Sequence, residues 1–246
     1  MLTKRILSIA LVLLLLISLT GCLSFGGGIG ATRGNGRMTD GTFSYDGSIT
    51  RIVVSDMGAT INLSPEASSE LRYTIDENLA DLLEITVQNG VLRIRTRNNR
   101  SITSDGIVFH IASDTLEEIL VDGAAAIRGS GTFTAHTFDL EINGAGSADL
   151  ALNAGRVWVE INGAGDISLS GEAEDLHLRI SGAGSIYARR LIAQHANAVL
   201  EGVGSIEVHA EQTLDASVYG VGSITYWGDP NLTSSAAGLG TVRRGN

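Results

Sequence analysis

Asn143-Gly144-Ala145-Gly146-Ser147-Ala148, Asn162-Gly163-Ala164-Gly165-Asp166-Ile167 and Ser181-Gly182-Ala183-Gly184-Ser185-Ile186 are three copies of one short pattern. It extends back to Asp122-Gly123-Ala124-Ala125. It extends forward through Glu201-Gly202-Val203-Gly204 and Tyr219-Gly220-Val221-Gly222 to Ala237-Gly238-Leu239-Gly240. The leading glycines are separated by 21, 19, 19, 20, 18 and 18 residues. A near-constant period of this size marks supersecondary units stacked on one another. Glycine at 31 of 246 positions comes without a G-X-Y triplet, which excludes collagen. A hydrophobic content of 43% excludes bulk disorder.

The flanks keep register with the glycines. Two residues before each leading glycine stand Val121, Ile142, Ile161, Ile180, Leu200, Val218 and Ala236. Four residues after it stand Ile127, Ala148, Ile167, Ile186, Ile206, Ile224 and Val242. Leu140, Val159, Leu178, Ala198 and Ala216 form a third apolar column, and Leu150, Leu169, Ala188, Val208 and Tyr226 a fourth. Polar residues separate the columns, so equivalent side chains stack inward and each strand pairs in parallel with its copy one coil later. About 19 residues cannot hold a helix, two strands and turns, which excludes leucine-rich, ankyrin and tetratricopeptide repeats. The expectation is an all-β fold: a single-stranded parallel β-helix of about seven Gly-x-Gly coils. The coils wind right-handed by the rule for parallel crossovers, in a stack of about 30 Å. The glycines turn the chain and let neighbouring coils approach closely.

Working outward, residues 42–116 also read as β. Ile52-Val54, Ile61-Leu63, Leu71-Ile75, Ile85-Val87 and Leu92-Ile94 alternate with polar neighbours, and Gln88-Asn89-Gly90 reads as a tight hairpin turn. These strands pack on the stack or continue it. Asn78–Glu84 is the one helical candidate. Arg93, Arg95 and Arg97 share one face and read as a solvated row paired with acids. Residues 23–41, rich in glycine, read as a flexible tether. Their Gly-x-Gly pairs neither follow a strand nor open a helix, so they are no phosphate loop. The boundaries are therefore 1–22, 23–41, 42–116 and 117–246.

Lys4 and Arg5 precede the apolar run Ile6–Leu19, short for a membrane span and suited to a signal peptide. The run ends in Leu19-Thr20-Gly21-Cys22, which resembles a bacterial lipobox. That resemblance implies lipidation of Cys22, the one cysteine, and a mature chain anchored to the membrane by its lipid. Leu23 follows where an Asp resembles an inner-membrane retention signal, so export to an outer membrane is expected if the source has one. Otherwise the outer face of the cytoplasmic membrane is expected. Removal of the signal ahead of Cys22 leaves 15 basic against 27 acidic groups, a net charge of −12, with no lysine. That excludes a phosphate-tracking basic patch, so no nucleic-acid partner is expected.

The (Asn/Ser)-Gly-Ala-Gly-(Ser/Asp)-Ile repeats and the ending Gly220-Val221-Gly222-Ser223-Ile224-Thr225-Tyr226-Trp227-Gly228-Asp229-Pro230 resemble the auto-transporter adhesin head GIN domain family. The resemblance covers Ser48 to Arg243. It implies a β-helix-like fold, export to the cell envelope, and no established catalytic residues. Glu201, Tyr219 and Ala237 depart from the small polar residue usual before the leading glycine, so the later coils present a different surface.

Outward residues after each Gly-x-Gly form a row: Ala126, Ser147, Asp166, Ser185, Ser205, Ser223 and Thr241, with Asn143, Asn162 and Ser181 beside it. Such a hydroxyl and amide ladder is the candidate contact for a polysaccharide or surface-protein ligand. The competing reading is that these side chains cap turns and bond locally. Tyr226 and Trp227 are a candidate aromatic contact or a plug for the open end of the stack. Glu141 and Glu160 fall one coil apart, which in a carbohydrate-active β-helix enzyme would pair two acids, but Arg179 takes the next equivalent place. His110, His136, His177, His195 and His209 share no metal-ligand spacing, so neither metal nor cofactor is expected. Three functions remain: an adhesin-like binding or scaffolding head without catalysis, a polysaccharide-acting enzyme, or a structural module that oligomerises.

Overall fold

The computed structural model describes residues 31–104 and 106–246; the expected signal peptide, Cys22 and the first part of the expected tether lie outside the described residues. The chain forms β1 (Thr32–Arg33), β2 (Met38–Ser44), β3 (Arg51–Ser64), β4 (Glu70–Asp76), β5 (Leu83–Gln88), β6 (Val91–Thr96), β7 (Ile102–Thr103) and β8 (Val108–Ala112). The repeats form β9 (Glu118–Ile161), β10 (Ala164–Ile180), β11 (Ala183–Leu200), β12 (Val203–Val218), β13 (Val221–Trp227), β14 (Asn231–Ala236) and β15 (Leu239–Arg244).

The repeat strands pair in parallel with the register the glycine period dictates. Ala164 lies between Ala145 and Ala183, Val203 follows Ala183, and Val221 and Leu239 complete the line. The result is a β-solenoid of about 5 turns, fewer than the seven expected from counting leading glycines, since the last of them opens only the six-residue strand β15. Ile142, Ile161, Ile180, Leu200 and Val218 are fully buried, as are Ile167, Ile186, Ile206 and Ile224. A further inward column runs through Phe138, Val157, Leu176, Ala196 and Leu214. At the last coil no rung follows. Ala236, on β14, is exposed there although it stands in an inward column; Tyr226 is half-buried one rung earlier, opposite Arg244 of β15.

Close approach between coils fixes the glycines. A Cβ on Gly163 would fall on the carbonyl oxygen of Gly144, one on Gly182 on that of Gly163, and one on Gly202 on that of Gly182. The second glycines meet the same obstacle: a Cβ on Gly184 would strike the carbonyl oxygen of Gly165. The residue between the two glycines points to solvent, and Leu239 there is 77% exposed.

The N-terminal region both continues the stack and closes it. β3 pairs in parallel with β9 as one more rung, with Ile61 opposite Ile127. β2, β4 and β8 pair antiparallel across that end and bury Leu71, Ile75 and Phe109. β5 and β6 form a hairpin about Asn89 and Gly90, both at positive φ (52° and 78°), the geometry a two-residue turn demands. The expected helix shortens to one turn, Ala80–Leu82, because Leu83 already belongs to β5.

The tether boundary is corrected as well. β1 pairs in parallel with β7, and β2 begins at Met38, so residues 32–33 and 38–41 belong to the fold. Polar groups far along the chain hold this strap. Gly36 N–H donates to Asp76 Oδ1 (2.6 Å), Ser104 Oγ donates to Asp76 Oδ2, and Asn78 Nδ2 donates to Arg33 O (2.9 Å). Asp76 is buried. The Ser104 hydroxyl and the Gly36 amide hold its carboxyl below the usual carboxylate range.

Candidate functional site

Outward side chains repeat at the rung spacing of about 4.8 Å, so like groups form rows along the stack. One row runs beside the leading glycines. Asn143 Nδ2 donates to Asp122 Oδ1 (3.0 Å) and to Glu141 Oε1 (2.8 Å), and Asn162 Nδ2 donates to Asn143 Oδ1 (3.0 Å). Ser181 Oγ donates to Glu201 Oε2 (3.3 Å). These groups spend their hydrogen-bonding capacity on the neighbouring rung, so the row ties coils together. In the parallel row after the second glycines, Ser205 Oγ donates to Ser185 Oγ (3.1 Å). Ser147 and Asp166 stand exposed there, without a side-chain partner among the described residues, and Ser223 is half-buried.

The stacked acids are each engaged by a neighbour: Glu141 accepts from Asn143, and Glu160 lies 3.6 Å from Arg179, which is shared with Glu201 at 2.6 Å. A cleft at the N-terminal cap gathers Glu66, Glu70, Arg72 and His110. Its carboxylates and imidazole are exposed to water. Among the described residues no three His, Cys, Asp or Glu side chains converge in a way that could hold a metal ion.

The two flagged aromatics occupy the closing coil. Tyr226 packs against the core, and Arg189 stacks on Trp227 with its guanidinium carbon 4.5 Å from the ring centroid. The aromatics presented to solvent are others: Tyr219 (57% exposed), Tyr187 (42%) and Trp158. Trp158 projects from the outer face of β9 between buried Val157 and Val159 and is 41% exposed. His177 lies directly opposite on β10 and stacks on it, centroids 5.1 Å apart and planes 27° apart. Asp139, with its carboxyl raised by burial and opposed by the Arg156 charge, belongs to the same face. The alternation Arg156-Val157-Trp158-Val159-Glu160 already carried this signal: it forces Trp158 outward.

The class is thus a parallel β-solenoid whose polar and aromatic groups lie on open faces rather than in an enclosed cavity. The chain belongs to the family described as "Putative auto-transporter adhesin, head GIN domain", which matches residues 50–230. A solved "putative adhesin" from Bacteroides fragilis is similar, with a TM-score of 0.80 and 26% identity over 88% of this chain and 100% of its own. A "putative lipid binding protein" from Parabacteroides distasonis (TM-score 0.68, 22% identity, 88% and 100% covered) shares the fold. So does a "putative adhesin" from Parabacteroides merdae (0.66, 22%, 89% and 100%). Among curated proteins none matches the chain. No described helix is long and apolar enough to cross a membrane.

Proposed function

We propose that this protein is a lipid-anchored envelope protein whose solenoid head binds or scaffolds surface polymers without catalysis. The observation that carries the reading is the rigid, in-register array of outward polar side chains. A stack whose backbone is already ordered loses little entropy when it docks an extended chain. Adhesin-like relatives support it. Lipidation of Cys22 supplies the membrane attachment, and the exposed Ser147 and Asp166 supply ligand contacts.

The test is retention of the full-length chain on isolated envelope polymers and glycan arrays, with product analysis of the same mixtures. Retention without polymer cleavage is expected, weakened by Asp166→Ala at unchanged thermal stability. Cleavage of the polymer would make the enzyme reading correct. Absence of retention, with self-association in light scattering, would make the structural-module reading correct. Mass spectrometry of the membrane fraction is expected to show an acylated Cys22.

A further inference from the structure

Trp158 is out of keeping with its surroundings. The outer face it stands on carries Asp139, Arg156, Glu160, Asp175, His177 and Arg179 on the same or adjacent rungs. An indole among such groups leaves apolar area in water that the fold gains nothing by exposing. It is also held in place. The rungs on either side are fixed by parallel pairing, and the His177 ring stacks on it at 5.1 Å. A fixed, half-exposed aromatic ring ringed by hydrogen-bonding side chains is a preorganised platform for a molecule with one apolar face and polar edges. A pyranose ring has that character: its C–H face stacks on indole and its hydroxyls bond to carboxylate and guanidinium.

Charge narrows the class. Asp139, Glu160 and Asp175 stand near the platform, and Arg179 is occupied by Glu160 and Glu201, leaving Arg156 as the nearby cation without such an ion pair among the described residues. The head has no lysine, so its acidic field repels polyanions. We propose that this face binds an uncharged glycan, with one sugar ring stacked on Trp158 and its hydroxyls held by Asp139 and Arg156. The inference rests on the polymer-binding reading and adds to it a ligand class and a contact face besides Ser147 and Asp166.

The test is isothermal titration of the full-length chain with linear hexamers of N-acetylglucosamine, of glucose and of mannose, and with polygalacturonate. The wild type is expected to bind at least one neutral hexamer and not polygalacturonate. Trp158→Ala is expected to weaken that binding about tenfold or more, and Trp158→Phe, which keeps an aromatic face, to retain most of it. Circular dichroism and melting of each variant exclude misfolding as the cause, as expected for a solvent-facing position. Equal binding by Trp158→Ala would overturn the site, and equal binding of polygalacturonate would overturn the charge argument. If no neutral hexamer binds, the inference fails. Retention on envelope polymers would then leave the broader reading standing, and loss of both would end it too.

Discussion

Replacing Gly182 by Ala tests the close packing of coils directly. The added Cβ falls on the carbonyl oxygen of Gly163, with the Gly163 carbonyl carbon and amide nitrogen each only 2.9 Å away. The obstacle is backbone, not the flexible end of a side chain, so relief requires the two coils to part. The same carbonyl accepts the Ala183 amide at 2.7 Å, and parting weakens that bond. Overpacking typically costs about 1–3 kcal/mol, and a lost buried backbone hydrogen bond adds about 1 kcal/mol. For a chain of this length a loss of 2–4 kcal/mol lowers the melting temperature by roughly 5–15 °C. The neighbouring change Ala183→Leu is the control. Ala183 points to solvent, and Leu239 occupies the equivalent place three rungs on. Its effect is expected within about 0.5 kcal/mol. Thermal and urea melts followed by far-ultraviolet circular dichroism measure both. A Gly182→Ala variant as stable as wild type, or an equal loss in Ala183→Leu, would refute the packing argument.

Three further outcomes follow from named contacts. Asp76→Asn is expected to loosen the strap, read as faster amide exchange at Gly36. The Asp76 carboxyl lies below its ordinary value in the folded chain, so the stabilisation is present above about pH 4 and is lost as pH falls through the lowered folded value. Arg179→Ala leaves Glu160 and Glu201 without their cation; the cost is at most about 1 kcal/mol at low salt, since the pair is part-exposed, and the difference from wild type shrinks in 1 M salt (about 3 Å Debye length). Phe138→Ala empties a fully buried site and is expected to cost about 3–5 kcal/mol in urea unfolding.

The solenoid was legible because its coils repeat: columns such as Ile142, Ile161 and Ile180 show both the period and the inward parity. The column from Phe138 to Leu214 was missed, although Val157 and Leu176 share the parity, because it lies next to the irregular corners before each second strand. At the N-terminal end, alternation fixes which face of β2, β4 and β8 is buried but is the same for parallel and antiparallel neighbours. Their pairing depends on Arg72 meeting Thr42 and His110, partners more than twenty residues away. The strap was read as tether because two residues of β1 carry no periodic signal, and Asp76 and Asn78 hold it from about forty residues away. Among the ladder residues, spacing placed Asn143 and Asn162 one above the other but could not show that they bond to each other. Trp158 was assignable to the outer surface by parity; its His177 neighbour required the register.

The strap also decides how the molecule yields to tension. A pull along the chain from its N-terminal side arrives first at β1, held by the Thr32 and Gly34 amides on β7 and by the Asp76 clasp. Those bonds give way in sequence before any load reaches the solenoid. Once released, residues 31–37, at about 3.4 Å each, can span at most about 24 Å between the pulling end and β2. The entry to the head thus acts as a shock absorber, sparing the stacked coils and whatever they hold from sudden strain.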